Sequence, residues 1–150
     1  MKSIVVYESV HHNNTEKVAK VIADEIGAEL VNVRNFSEFH GNLDEYDLVG
    51  FGSGIYFGKI HKNLKKFIES TEHTDKTKTF IFTTSGRGTL KFHKKFKEIL
   101  DSKGFDIVDE FACKGFDTFL PFKLVGGLNK GQPNGEDLAN ARKFAESLLK

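Results

Sequence analysis

The stretch Ile4-Val5-Val6-Tyr7-Glu8-Ser9-Val10-His11-His12-Asn13-Asn14-Thr15 decides how the rest of the chain is read. Ile4 to Tyr7 is β-branched and aromatic, as suits a buried central strand. A polar loop follows. From Val18 the period changes, and Val18, Ala19, Val21, Ile22 and Ile26 fall on one helical face. Asn14 or Thr15 can cap that helix, and Gly27 can end it. A strand that feeds a helix through a polar loop makes an anion site, because the first helical N–H groups lack internal partners and carry the positive end of the helix dipole. No lysine lies in the loop and no GxGxxG is present, so the loop does not read as a triphosphate or dinucleotide fingerprint. It suits a terminal monophosphate held by neutral donors such as Ser9, Asn13, Asn14 and Thr15. An ordinary polar turn with a good helix cap accounts for the same residues equally well.

Size and composition narrow the class. The 150 residues suit one domain with a proper core, 1–150, and 39% hydrophobic content argues against disorder. The formal net charge of +1 disfavours a strong field for nucleic acid or membrane. Cys113 is the only cysteine, which excludes an internal disulfide and a cysteine zinc cluster. The first residues read as a strand and not as a signal peptide, and no apolar run reaches the length of a membrane span. The expectation is a cytoplasmic protein, a monomer or weak homodimer.

Strands and helices alternate along the chain. Strands are expected over 28–33, 48–52, 79–83 and 105–113. Helices are expected over 59–70, with Ile60, Leu64, Phe67 and Ile68 inward, over 90–103, and over 136–149. A polar connection spans 34–47, and a long loop with both prolines spans 114–135. Five strands with helical crossovers predict an α/β three-layer sandwich around a parallel sheet. The order 2-1-3-4-5 is the common solution, with ligands at the carboxyl ends of the strands. That rule gathers three loops: 9–15, 53–58 and 84–88.

The second loop is Gly52-Ser53-Gly54-Ile55-Tyr56-Phe57-Gly58. Its glycines allow backbone to approach a flat ligand, and Tyr56 and Phe57 offer aromatic faces. A tight turn with aromatics folded onto the core is the other reading. The third is Thr84-Ser85-Gly86-Arg87-Gly88, whose exposed backbone can read the polar edge of a heterocycle. A plain strand-to-helix turn capped by Ser85 fits it too.

On these three segments, Tyr7 to Thr15, Gly52 to Gly58 and Thr83 to Gly86, the chain resembles the flavodoxin family over nearly its whole length. The segments Cys113-Lys114-Gly115-Phe116-Asp117 and Gly126-Gly127-Leu128-Asn129-Lys130-Gly131 resemble one branch of it. The resemblance implies an FMN site and electron transfer between redox partner proteins. It places Ser9, His11, His12, Asn13, Asn14 and Thr15 at the phosphate, with His12 acting through its backbone. It places Ser53, Gly54, Ile55, Tyr56 and Phe57 beside the isoalloxazine ring, and Thr84, Ser85 and Gly86 at its pyrimidine edge. The first loop departs from the family's Ser/Thr-x-Thr-Gly-Asn-Thr pattern by one extra residue and by its two histidines. The acidic surface frequent in the family is missing.

Several residues admit two readings. His11 and His12 either meet phosphate or face solvent, and no third ligand at a recognisable spacing supports a metal. Cys113 reads as a buried structural thiol before a redox one. The lysines at 59, 62, 65 and 66 and at 91, 94, 95 and 97 read as solvated helix faces, with an acidic redox partner as the sharper alternative. Arg87 beside the ring would favour the anionic, fully reduced flavin. One charge at about 6 Å and an effective dielectric of about 20 contributes roughly 3 kcal/mol before screening, on the order of 100 mV.

The expected function is therefore electron carriage by non-covalently bound FMN, with no catalytic acid or base. The alternative is an FMN-dependent oxidoreductase, such as a quinone reductase or a protoporphyrinogen-oxidase-like enzyme, with the 114–135 loop over the substrate. A phosphoacceptor signalling module needs an Asp at the end of the third strand, where this chain has Gly50-Phe51-Gly52-Ser53. A nucleic-acid binder fits poorly with the balanced charge.

Overall fold

The alternating pattern becomes a twisted parallel sheet with helices on both faces. The computed structural model describes residues 1–9, 14–34, 42–115 and 133–150. Strand β1 (Ser3–Glu8) leads to helix α1 (Asn14–Ile26), and β2 (Glu29–Asn32) follows. A short 3-10 turn, Leu43–Glu45, precedes β3 (Leu48–Tyr56) and the two-residue β4 (Lys59–Ile60). Then come α2 (Lys62–Ser70), β5 (Lys78–Ser85), a 3-10 turn at Leu90–Phe92, α3 (His93–Asp101), β6 (Asp106–Lys114) and α4 (Gly135–Leu148). The order across the sheet is β2-β1-β3-β5-β6. These five strands are parallel, so the expected 2-1-3-4-5 arrangement is present. The addition is β4, which pairs antiparallel with β3.

Two cores form because the parallel strands are covered on both sides. On one face Ile4, Val6, Val49, Phe51 and Ile81 pack with Leu64, Ile68, Phe96 and Leu100 of α2 and α3. On the other, Val5, Tyr7, Phe80 and Phe82 pack with Val18 and Ile22 of α1 and Ala141 and Ala145 of α4. Helix α1 stops where Gly27 takes a φ of 68°, and Ala28 N–H donates to the Ala23 carbonyl at 2.9 Å.

The largest departure from the sequence expectation lies at β3, which runs on to Tyr56 instead of ending at Gly52. Glycine pairs here with aromatics across the strands. Gly50 stands opposite Phe80 and Gly52 opposite Phe82. A Cβ on Gly52 would lie 2.0 Å from the Phe82 ring. The glycines thus make room for rings within the sheet, which keeps 48–56 a strand. The strand reverses at Phe57-Gly58, both at positive φ, and pairs back through Ile55 with Ile60. Helix α2 consequently starts at Lys62, not Lys59. His61 caps it, its Nδ1 accepting from Asn63 N–H at 3.0 Å.

Charge placement divides the helices. Helix α1 carries Glu16 in its first turn, and α4 carries Glu136 and Asp137 with a full capping box. These acids complement the helix dipole. Helices α2 and α3 carry no acid in the first turn. Lys62, Lys94 and Lys95 stand there instead, and the acids Glu69, Glu98 and Asp101 sit toward the far ends. Each such misplaced charge costs about 0.3–1 kcal/mol.

Candidate functional site

Parallel strands end together, so whatever follows them meets at one edge. Glu8 of β1 is in register with Ser53 of β3, and Gly54 of β3 with Thr84 of β5. The three expected loops therefore begin side by side.

At the first, Ser9 is buried and its Oγ accepts from Glu16 N–H at 3.2 Å, holding the opening turn of α1. Asn14 and Thr15 are also buried. Thr15 Oγ1 lies 2.9 Å from Thr84 Oγ1. Gly115, just past β6, lies close enough to Asn14 that a Cβ there would stand 2.6 Å from its amide nitrogen. His11, His12 and Asn13 lie outside the described residues, as does 116–132 of the long loop.

The second segment is the end of β3 and its hairpin. Ser53 is fully buried, and its hydroxyl donates to the Gly54 carbonyl at 2.6 Å while accepting from His61 N–H at 2.9 Å. Its side chain thus anchors the hairpin to the start of α2. The Tyr56 hydroxyl leans back over Gly54, where a Cβ would meet it at 2.7 Å. The Tyr56 ring meets the His61 ring edge-on at 5.3 Å. Ile55 is half-buried. Phe57 is 85% exposed and holds a φ of 53°, a left-handed backbone that disfavours a residue with a Cβ.

The third segment is a locked turn. Ser85 Oγ accepts from Gly88 N–H at 2.9 Å, and the Ser85 carbonyl accepts from Gly115 N–H at 3.0 Å. Gly88 takes a φ of 61° and abuts the backbone of β6, where a Cβ would lie 2.9 Å from Lys114 N. Thr84 is buried, and Gly86 opens the bend. Arg87 is exposed, so solvent screens its charge, against the strong influence expected of it.

Two acids flank the first loop, and both are engaged within the chain. The Glu8 side chain is fully buried, with Arg34 Nε donating to its Oε1 at 3.0 Å and Asn63 Nδ2 reaching Oε2 at 3.5 Å. Glu16 Oε1 accepts from the Tyr7 hydroxyl at 2.8 Å. Burial and this bond push the Tyr7 phenol up to about 12. A cation therefore stands against Glu8, while the hydroxyl on Glu16 is neutral.

Sequence reasoning did not find the Glu8–Arg34–Asn63 cluster, nor a second buried one. His93 Nε2 shares a 2.6 Å hydrogen bond with Thr83 Oγ1, and its Nδ1 lies 3.3 Å from Glu110 Oε1. Glu110 in turn pairs with Lys97. The signal was faint: Thr83 beside Ile81 on one strand face, and a histidine at a core-facing helix position. Cys113 is buried, and burial raises its thiol to about 12, which suits an inert structural thiol. Among the described residues, no group of His, Cys, Asp and Glu could hold a metal, and no helix is long and apolar enough to cross a membrane.

Comparison with known proteins places this geometry in a family. A family model described as a flavodoxin domain matches residues 4–115. An uncharacterized protein of Methanocaldococcus jannaschii is 51% identical over 152 residues, covering 100% of this chain and 99% of that protein. Among solved structures, oxidised Flavodoxin 1 from Bacillus cereus superposes with a TM-score of 0.71 at 16% identity, covering 99% of this chain and 97% of that one. The general stress protein 14 from Treponema denticola, solved in complex with FMN, superposes with a TM-score of 0.63 at 8% identity, covering 99% and 98%. The chain belongs to the flavodoxin-domain family.

Proposed function

We propose that the chain binds FMN without a covalent bond at the carboxyl edge of its sheet and passes electrons between redox partners. One observation carries the reading: the buried Thr15–Thr84 hydroxyl pair, which joins the start of α1 to the end of β5 beside an exposed aromatic hairpin.

The donor set fits the cofactor. Around the start of α1 stand neutral hydroxyl and amide groups, Ser9, Asn14 and Thr15, together with helical N–H groups. Arg34 pairs with the Glu8 carboxylate, so that acid is offset by a cation beside the phosphate site. Ser9, Asn14 and Thr15, with His11, His12 and Asn13, would hold the phosphate. Tyr56 and Phe57 would offer their rings to the flavin face, with the backbone of Gly54 and Ile55 between them. Thr84, Ser85 and Gly86 would present backbone groups to the pyrimidine edge. Ser53 would act through its backbone, since its hydroxyl is already engaged.

The bound flavin supplies the redox chemistry. The protein's part is binding, orientation and partial exclusion of water. Ser9 fixes the first turn of α1 so that its N–H groups point one way. The Ser85–Gly88 and Ser85–Gly115 bonds keep the third turn rigid. No proton needs to move to a side chain, and the ring edge stays near the surface for a partner. The membership in the family and the FMN held by one structural relative support this reading.

Absorbance of the purified protein before and after FMN addition tests it, followed by a reductive titration. Uptake with micromolar or tighter affinity, and reversible reduction, is the expected result. A chain that stays colourless with excess FMN refutes the proposal.

A further inference from the structure

The first turns of α2 and α3 carry lysines and no acid, against the helix dipole, while the first turns of α1 and α4 carry acids that follow it. Lysines gathered at the first turns of two adjacent helices, with their acids at the far ends, call for a use of the basic end. Crossover helices begin where the preceding strands finish, so these first turns rim the edge that holds the proposed flavin site. Lys59, Lys62, Lys65, Lys91, Lys94 and Lys95 are all exposed there, and among the described residues none makes an ion pair. The acids of the same two helices lie toward the opposite edge. With a net charge of only +1, this is segregation of charge and not general basicity. Such an asymmetry orients an approaching partner.

The patch has an apolar centre. Phe57 is 85% exposed and Leu90 50% exposed. The hairpin tip and the 3-10 turn that bear them adjoin, because Gly58 lies against the Phe92 ring. An aromatic and aliphatic centre within a charged rim is the anatomy of a protein interface. Neither helix turns an apolar stripe outward to lie in a membrane surface, since Leu64, Phe67, Ile68, Phe96 and Leu100 are all buried.

We propose that this edge docks an acidic redox protein, with Phe57 and Leu90 at the centre of the contact and the lysines of α2 and α3 around it. The proposal rests on the FMN reading and adds the sign and position of the partner's surface.

The test measures binding, so that it does not depend on turnover. The FMN-loaded chain is titrated against a fluorescently labelled [2Fe–2S] ferredoxin of strongly negative charge, in 10 mM and 300 mM NaCl. Affinity should fall at least tenfold at the higher salt. The variant Lys62→Glu/Lys91→Glu/Lys94→Glu should bind at least tenfold more weakly at 10 mM, and should melt no lower, because the reversals at Lys62 and Lys94 suit the helix dipoles. Lys143→Glu/Lys150→Glu, in and just beyond α4, should bind within twofold of the unaltered chain. FMN affinity should stay within twofold in both variants. Equal losses in the two variants would overturn the proposal, as would tighter binding of a basic cytochrome c. Tighter binding of a 20-base-pair DNA duplex or of phosphatidylserine vesicles would reassign the surface and overturn it as well. FMN uptake is scored separately. A chain that takes up no FMN overturns both readings, and a loaded chain without this preference overturns only the docking surface.

Discussion

Thr15 and Thr84 are 69 positions apart in sequence, and their hydroxyl oxygens lie 2.9 Å apart in a buried pair. The strand order brings their two loops to one edge, and this bond fixes the start of α1 relative to the end of β5. Thr15→Val should cost about 1–3 kcal/mol, because it leaves the Thr84 hydroxyl buried without that partner. Thr84→Val should do the same. The double variant should cost less than the sum, with a coupling of about 1 kcal/mol in urea unfolding. Each single variant should also weaken FMN binding about tenfold. Strictly additive losses would mean that the two hydroxyls do not depend on one another.

Gly52 makes a separate prediction about β3. Its Cα faces the Phe82 ring, and a Cβ would intrude to 2.0 Å. Phe82 is fully buried, so its ring has no solvent to retreat into. Gly52→Ala should destabilise by about 1–3 kcal/mol or more through overpacking. Shortening the neighbour in Gly52→Ala/Phe82→Leu should recover part of that loss, measured as the shift in the denaturation midpoint. A Gly52→Ala protein as stable as the original would show that the ring has another place to go.

This pairing also shows why the sheet was legible in the sequence and its third strand only in part. Ile4 to Tyr7 and Thr79 to Thr83 announce themselves by β-branched and aromatic side chains, and α1 by its period. Those signals are local. Gly52 and Gly54 look like loop residues until Phe82 and Tyr56 are known to lie over them, and both rings are tertiary facts. Phe57 hid the hairpin, since a phenylalanine is a poor indicator of a left-handed turn. Ile60 then fitted the helical spacing with Leu64, which drew the start of α2 three residues early. In the candidate site, the loops were legible because topology alone aligns strand ends. The internal engagement of Ser53 and the partners of Glu8 were not, since Arg34 and Asn63 arrive from distant elements.

His93 predicts a pH dependence of stability. Burial, its largest influence, holds the imidazole below the ordinary 6.5; Glu110 opposes the shift and Lys97 adds to it. Thr83 from β5 completes its polar surroundings. As pH falls through 6.5, the unfolded chain takes up a proton that the folded chain still refuses. The unfolded state then binds more protons, so folding stability declines below about pH 6.5 and levels off only beneath the folded value. The decline approaches about 1.4 kcal/mol per pH unit within that window. Urea unfolding at pH 7.5 and 5.5 should show a smaller acid loss in His93→Gln than in the original chain. Matching losses would place the acid sensitivity elsewhere.

Arg87 is exposed, so its charge reaches a bound flavin only through solvent. Surface charge terms are about 1 kcal/mol or less, which corresponds to about 40 mV in a one-electron potential. Arg87→Ala should therefore lower the potential for full reduction by no more than that, and the shift should vanish in 0.5 M salt. A downward shift of 100 mV that survives salt would mean that the guanidinium packs against the ring when FMN is bound.

Phe57 separates function from stability. Its φ of 53° costs a residue with a Cβ about 1–2 kcal/mol, and the following Gly58 completes a turn in which Asn-Gly is the favoured pair. The ring recovers little of this by burial, at 85% exposure. Selection for folding alone would put asparagine or glycine there. Phe57→Asn should therefore raise the melting temperature, by about 1 kcal/mol of added stability, while weakening FMN binding severalfold. Phe57→Tyr should keep both properties, because an aromatic face remains in the same backbone. If Phe57→Asn gains stability and binds FMN as tightly as before, the strain serves something other than the flavin, and the partner surface becomes the place to look for it.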